Sequence, residues 1–246
     1  MPENKKKAVV IGASSGIGEA LAKALGRNGY EVGLAARRVE LLRKLQKEIP
    51  SPSFIKRIDV GQPKEAMALL QELIRDLGGM DLIVLNSGIN TRNVNLDWEG
   101  ENETINVNVS GFAAMANVAV KHFLAQNSGH IVGISSIAAL RGSATCPSYN
   151  ASKAFVSNYL EGLRHRFSGK NIYVTDIRPG LVDTAMIRGQ PGLFWVATAQ
   201  GAAEQILQVI KKKKKVAYIT ARWRILAWLI KALPDWLYTL RYKRKI

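Results

Sequence analysis

Short apolar runs alternate with amphipathic segments over the first 180 residues. The runs are rich in β-branched residues, as is typical of parallel strands that are covered on both faces. The pattern predicts strands at 8–11, 31–36, 54–58, 81–85, 130–136, 171–177 and 216–219. It predicts helices at 19–25, 39–49, 63–77 and 100–126, and another that carries Tyr149 and ends near Phe167. This alternation predicts one α/β domain over residues 1–220, a doubly wound, mainly parallel sheet of seven strands with helices on both faces.

The helix predicted at 100–126 is apolar on almost every side between Ile105 and Leu124. A helix of this kind needs cover on both faces. We therefore expect it to pack on the sheet with one face and on a second subunit with the other, in a homodimer or homotetramer. Its polar residue Asn108 is either a satisfied core amide or a functional group.

The net charge of +16 is unevenly distributed along the chain. Residues 211–246 hold 12 Lys and Arg against one acid, Asp235, for a net charge of +11, and the rest of the chain carries only +5. The single cysteine, Cys146, excludes an intrachain disulfide and fits a reducing compartment. Because the first residues lack the pattern of a signal peptide, we expect a cytoplasmic protein.

The basic C-terminal extension, residues 221–246, is the most distinctive segment. Its uninterrupted apolar run, Ile225–Ile230, is far too short to span a bilayer. Trp and Leu beside Arg and Lys suit a segment at an anionic membrane surface, with residues 222–245 making a peripheral contact. Alternatively, the segment caps the substrate pocket or forms an oligomer contact. The charge would also suit nucleic acid, but no binding motif accompanies it.

A glycine-rich turn lies between the first strand and the first helix. Its residues are Gly12, Ser14, Ser15, Gly16, Ile17 and Gly18. Backbone N–H groups in such a turn can approach a pyrophosphate at the helix N-terminus. After the second strand, NAD-binding proteins place an acid that holds the ribose hydroxyls, whereas an arginine suits the 2′-phosphate of NADP. Arg37 and Arg38 stand there, so we predict NADPH rather than NADH. The alternative is a packing turn followed by two solvated arginines.

Tyr149 and Lys153 stand at i and i+4 of a predicted helix, which puts the phenol and the ammonium on one face. A fixed cation stabilises phenolate, so we expect the pKa of Tyr149 to be lowered toward neutrality. The pair could then give or take a proton. The alternative is a core tyrosine beside a solvated lysine.

In this order, these residues resemble the short-chain dehydrogenase/reductase family, whose members have a Rossmann-type fold. The likeness covers residues 8 to about 185. It rests on Gly12, Gly16, Gly18, Asn86-Ser87-Gly88, Pro179-Gly180 and a tetrad of Asn108, Ser136, Tyr149 and Lys153. Ile11 and Leu85 replace residues usual in the family, so we expect altered local hydrogen bonding and retained chemistry.

The resemblance implies an NADPH-dependent oxidoreductase that interconverts a ketone or aldehyde and an alcohol. In it, Tyr149 donates a proton to the carbonyl oxygen, Ser136 hydrogen-bonds that oxygen, Lys153 holds the nicotinamide ribose and Asn108 anchors a water. Further implied cofactor contacts are Asp59, Val60, Asn86, Ser87, Gly88, Pro179, Gly180, Val182 and Thr184.

In this family the segment after the Pro-Gly turn closes over the substrate, here residues 183–199 with Phe194 and Trp195. These aromatic residues suggest an apolar substrate, unless they only pack the segment on its own domain. No metal is expected, because the histidines show no ligand spacing. Two other classes remain open, a non-catalytic dinucleotide-binding regulator and a membrane-surface adaptor that acts through the basic tail.

Overall fold

The computed structural model describes residues 5–91, 93–187 and 193–240. One sheet has the strand order β3-β2-β1-β4-β5-β6-β7, and all its neighbouring strands pair in parallel. Its strands are β1 Lys7–Ile11, β2 Glu31–Ala36, β3 Ser53–Arg57, β4 Leu82–Leu85, β5 Gly129–Ile134, β6 Ile172–Pro179 and β7 Val216–Ile219. The predicted doubly wound, seven-stranded α/β fold is confirmed.

The helices connect the strands on both faces of the sheet. They are α1 Gly16–Arg27, α2 Val39–Glu48, α3 Pro63–Asp76, α4 Trp98–Ile105, α5 Phe112–Gln126, α6 Pro147–Arg166, α7 Ala199–Lys211, α8 Trp223–Ala232 and α9 Asp235–Leu240. A π-helical stretch, Asn106–Gly111, joins α4 to α5, and a 3₁₀ turn, Ile137–Leu140, precedes α6. Helix α7 has no counterpart among the predicted elements, although Ala203, Ile206, Leu207 and Ile210 are buried at helical spacing.

Alternating strand residues build a separate core on each face of the sheet. In β1, Val9 and Ile11 join the core formed with α3, α5 and α6, whereas Ala8 and Val10 join the core formed with α1 and α7. This division follows from the period of two along a strand. Because both faces of the sheet are covered at its centre, β1, β2, β4 and β5 are mostly apolar, which is the pattern that made them recognisable in the sequence.

The helix predicted over 100–126 is continuous in the structure, but it passes from α-helix to π-helix and back to α-helix. Part of its cover comes from the same chain, because α5 packs against both the sheet and α3. Gly111 lets the helix approach the loop after β3, since a Cβ there would lie 2.5 Å from the carbonyl oxygen of Val60. Contact with a second subunit remains a prediction.

The C-terminal segment folds back against β7 and the 3₁₀ turn, which α8 contacts. Trp223 and Ala227 of α8 are both only 2% exposed, and a Cβ on Gly180 would lie 2.1 Å from the Trp223 ring. None of the helices within the described ranges is long and apolar enough to cross a membrane. The basic end predicted at 241–245 lies outside the described residues, as do residues 188–192 of the predicted substrate-covering segment.

Candidate active site

A cleft of about 940 Å³ opens at the carboxyl edge of the sheet. Ligands in open parallel sheets bind at this edge, where the direction of strand succession reverses. Most of the predicted site residues line the cleft, namely Gly12, Ser14, Ser15, Gly16, Ile17, Arg37, Arg38, Asp59, Val60, Asn86, Ser87, Gly88, Ser136, Tyr149, Lys153, Pro179, Gly180, Val182 and Thr184. The structure brings these residues together from the ends of six strands and from helix α6, although they are spread over more than 170 positions of the sequence.

The glycine turn after β1 is shaped by close backbone contacts. Gly12 and Gly16 have positive φ angles of 83° and 61°, a region that glycine adopts without strain. A Cβ on Gly12 would lie 2.8 Å from the backbone nitrogen of Ser87, and Asn86 Nδ2 donates to the Gly12 carbonyl at 2.9 Å. The turn is therefore fixed against the end of β4 and leaves its own backbone open to the cleft.

Gly18 does not line the cleft. It is buried, and a Cβ there would lie 2.2 Å from the Gly12 carbonyl oxygen. This glycine lets α1 pack closely on the turn, and its contacts lie behind the cleft.

The N-terminus of α1 is open to an anion. Ser15 precedes the helix, but its hydroxyl does not cap the helix N–H groups. Instead, Arg38 Nη2 donates to Ser14 Oγ at 2.9 Å and to Ser15 Oγ at 2.8 Å. Uncapped N–H groups, the positive end of the helix dipole and a nearby guanidinium all favour phosphate. The turn therefore fits a dinucleotide.

Arg37 also lines the cleft and is exposed, and of the two arginines it is Arg38 whose side chain hydrogen-bonds to the glycine turn. At the neighbouring strand end, Asp59 Oδ1 accepts from the backbone N–H of Gly61 at 3.0 Å, which orders the loop after β3. Across the cleft, Thr184 Cγ2 would lie 2.9 Å from a Cβ on Gly16. The segment after β6 thus closes directly against the glycine turn.

Tyr149 and Lys153 lie on one face of α6, as the i, i+4 spacing predicts, with Lys153 Nζ 5.8 Å from the centroid of the Tyr149 ring. The expected lowering of the Tyr149 pKa is wrong for this structure. Burial raises the pKa of Tyr149 to about 12, and the hydrogen bond with Ser136 lowers it only in part. The physical reason is that loss of hydration penalises phenolate more than the Ser136 hydrogen bond stabilises it. The phenol is consequently protonated at neutral pH.

Lys153 lines the cleft and is otherwise buried. Its ammonium donates to the Ile134 carbonyl at 3.0 Å. Burial lowers the pKa of Lys153 to about 8, against the opposing effect of the buried carboxylate of Asp176. Lys153 is therefore mostly charged at pH 7 and adds a fixed positive potential beside Tyr149.

Asp176 belongs to a buried polar group under the cleft that the sequence analysis did not single out. Its carboxylate is fully buried and accepts from Ser135 Oγ at 2.5 Å and from Arg178 Nε at 2.7 Å. Arg178 in turn donates to the Tyr218 hydroxyl at 3.2 Å. The sequence did carry a signal for this group, because Asp176 lies within a predicted strand. A charged residue that is buried in a strand needs polar partners nearby.

Ser136 and Asn108 occupy different layers of the site. Ser136 Oγ lines the cleft and accepts from the Ala138 N–H at 3.1 Å. Asn108 is 1% exposed and does not line the cleft. It pairs with both backbone groups of Ile89 at 2.9 Å and donates to Ser152 Oγ at 3.0 Å. Asn108 therefore connects the end of β4 to α6, directly behind Gly88.

The C-terminal segment supplies part of the cleft wall, through Ile230 and Tyr238. It is anchored by Arg141, which donates to the Leu233 carbonyl at 2.9 Å and to Asp235 Oδ1 at 3.0 Å. The segment therefore forms part of the cleft wall, and its role as a cap on the substrate pocket stays a prediction. Arg141 had no recognisable signal, because its partners lie more than 90 residues away.

The strand order 3-2-1-4-5-6, a glycine turn after β1 and a cleft at the carboxyl edge define the Rossmann-type class of dinucleotide-binding domains. Within it, residues 6–191 match the short chain dehydrogenase family model, and the chain belongs to this family. The chain is 36% identical over 186 residues to an uncharacterized oxidoreductase from Myxococcus xanthus, covering 74% of each chain. The predicted family and the oxidoreductase class are confirmed.

Solved structures give the same fold. A short-chain type dehydrogenase/reductase from Mycobacterium marinum superposes with a TM-score of 0.79 at 23% identity, covering 87% of this chain and 92% of that one. An alcohol dehydrogenase from Thermococcus sibiricus, complexed with 5-hydroxy-NADP, has a TM-score of 0.76 at 26% identity, covering 87% and 94%.

Proposed function

We propose that this oxidoreductase uses NADPH to interconvert a ketone or aldehyde and the corresponding alcohol. The observation that carries the proposal is the meeting of Ser136, Tyr149 and Lys153 in one cleft with an open glycine turn. A regulator that only binds a dinucleotide would not need a protonated phenol and a buried ammonium side by side. The preference for NADPH rests on Arg38 and its two serine contacts, where a 2′-phosphate would find positive charge.

Each residue has a role that follows from its environment. When bound, the nicotinamide supplies a hydride to the carbonyl carbon. The phenol of Tyr149, protonated at neutral pH, donates its proton to the carbonyl oxygen, and Ser136 hydrogen-bonds that oxygen. The phenolate left behind is stabilised by the ammonium of Lys153, which the Ile134 carbonyl holds in position. Asn108 acts from behind Gly88, where it orders the end of β4.

The remaining assignments follow from composition and surface. The substrate is a small molecule with an apolar body. Apolar side chains that line the same cleft as Tyr149 support this assignment, namely Leu181, Met186, Ile187 and Ile230. The enzyme acts in the cytoplasm, which its single cysteine fits. It forms a homodimer or homotetramer, and partly exposed residues such as Ile105 at the end of α4 are available for that contact.

The test is NADPH consumption with a panel of ketones and aldehydes, for the parent and for Tyr149→Phe. We expect turnover to fall at least about 100-fold, because a positioned acid contributes that much, while NADPH affinity changes less than about twofold. Tyr159→Phe is the matched control, because Tyr159 lies on the same helix and packs against Phe112 and Phe155, away from the cleft. Retained turnover in Tyr149→Phe would refute the assigned role.

A further inference from the structure

Helix α8 is apolar on two opposite faces, and only one of them is covered. Trp223 and Ala227 face the domain and are buried. Ile225, Trp228 and Leu229 are 68%, 69% and 46% exposed. Large apolar side chains grouped in this way on a surface mark a contact site for another molecule.

The exposed apolar side chains continue beyond α8. In α9, Trp236 and Leu237 are exposed, as are Phe194 and Trp195 in the segment before α7. Phe194 and Trp195 pack against Trp223, with ring centroids 5.5 and 5.9 Å away, and the Trp195 ring meets Trp223 edge-to-face. We call the exposed residues Ile225, Trp228, Leu229, Trp236 and Leu237 the tail surface.

The tail surface is held in a fixed place beside the cleft. Arg141 binds the Leu233 carbonyl and Asp235, and the Tyr238 hydroxyl donates to the Gly142 carbonyl at 2.9 Å. The same two helices contribute Ile230 and Tyr238 to the cleft wall. Whatever covers the tail surface therefore lies next to the mouth of the cleft.

The charge around the tail surface selects its partner. Arg222, Arg224 and Lys231 stand at α8, whereas Asp235, the only acid after Glu204, is paired with Arg141. A second copy of this chain would bring equally unbalanced cations to the contact, which opposes self-association there. An anionic lipid surface complements the cations and accepts Trp and Leu at the level of its headgroups.

We propose that the tail surface docks on an anionic membrane and presents the mouth of the cleft to the lipid. On the premise of the proposed reductase function, the substrate is then a carbonyl compound attached to an apolar chain that resides in the bilayer. The five lysines at 211–215 precede β7 and so lie at the opposite edge of the sheet from the cleft. They do not form part of this contact.

The test is flotation of the full chain with phosphatidylcholine vesicles, and with vesicles in which part of that lipid is replaced by phosphatidylglycerol. We expect binding only to the anionic vesicles. The double variant Trp228→Ser, Leu229→Ser should weaken it about tenfold for each residue, and Trp228→Phe should retain most of it. The pair Arg224→Gln, Lys231→Gln should weaken binding about fivefold per charge.

The matched charge control is Arg43→Gln, Lys47→Gln. Both residues are exposed on α2, which packs on β2 and β3, at the other end of the strand order from β7. It removes the same two charges and should leave vesicle binding near the parent level. Two results would overturn the docking proposal. The first is that the serine variant binds anionic vesicles as well as the parent does. The second is that the parent binds no vesicles but forms an oligomer, and that the serine substitutions dissociate this oligomer.

Reductase activity is read on the same preparations with a short, water-soluble ketone or aldehyde. Trp228 and Leu229 do not line the cleft, so their variants should keep this turnover. Vesicle binding without any turnover would refute the reductase function alone. Turnover without vesicle binding would refute the docking proposal alone.

Discussion

Removal of the Arg38 guanidinium should largely abolish the preference for NADPH, so that the affinities for NADPH and NADH become nearly equal. In the structure this group lies 2.8 and 2.9 Å from the hydroxyl oxygens of Ser15 and Ser14, beside the open end of α1. A 2′-phosphate bound there would accept charge-assisted hydrogen bonds from it. NADH has no such phosphate, so its affinity should be unchanged.

The size of the effect follows from the exposure of Arg38. A hydrogen bond to a charged group contributes about 1.5 to 3 kcal/mol, and the lower value applies because solvent screens an exposed guanidinium. Arg38→Ala should therefore raise the Kd of NADPH about tenfold. Arg38→Lys keeps the positive charge but lacks the planar guanidinium group. The affinity for NADPH should therefore fall less in Arg38→Lys than in Arg38→Ala.

The assay is titration by protein fluorescence with NADPH and with NADH at constant ionic strength. Arg43→Ala on α2 is the control for general loss of positive charge, and it should change neither affinity. Arg37→Ala tests the neighbouring arginine, which lines the cleft without contacts to the serines. Equal weakening of NADPH and NADH in Arg38→Ala would refute the phosphate assignment, as would no change for either.

Two further predictions concern buried charge. Burial and Lys213 lower the pKa of His130 from 6.5 to about 4, so the folded protein excludes a proton that the unfolded chain accepts. The free energy of unfolding should therefore fall by about 2 to 3 kcal/mol between pH 6.5 and about pH 4.5 through this residue. His130→Gln should show a shallower decline in urea titrations, and an unchanged decline would contradict the assignment. Asp176→Asn should cost about 3 kcal/mol, because it leaves the largely buried Arg178 without its carboxylate. Adding Arg178→Met should recover part of that loss in urea unfolding, and no recovery would mean that the ion pair is not the cause.

Most of the fold could be predicted from sequence because its determinants are local. Runs such as Ile83 to Leu85 are buried on both faces, so every position had to be apolar. The glycine turn was recognisable because Gly12 and Gly16 adopt backbone angles that other residues avoid. The order of the motifs along the chain then led to the correct family.

Other features depend on residues that are distant in sequence and could not be read from local patterns. Arg141 and Asp235 are 94 positions apart, and only the folded chain makes them the anchor of the C-terminal segment. Asn108 was recognisable by its match to the family, but its position behind Gly88 depends on packing between the end of β4 and α6.

The sequence by itself determined the alternation of strands and helices, the glycine turn and the pairing of Tyr149 with Lys153 on one helical face. These depend on backbone preferences and on spacing within a few residues. Tertiary structure alone decided the protonation of Tyr149 and the wall that the C-terminal segment adds to the cleft. The physical reason is that desolvation and contact are properties of the space around a side chain, and distant parts of the chain fill that space.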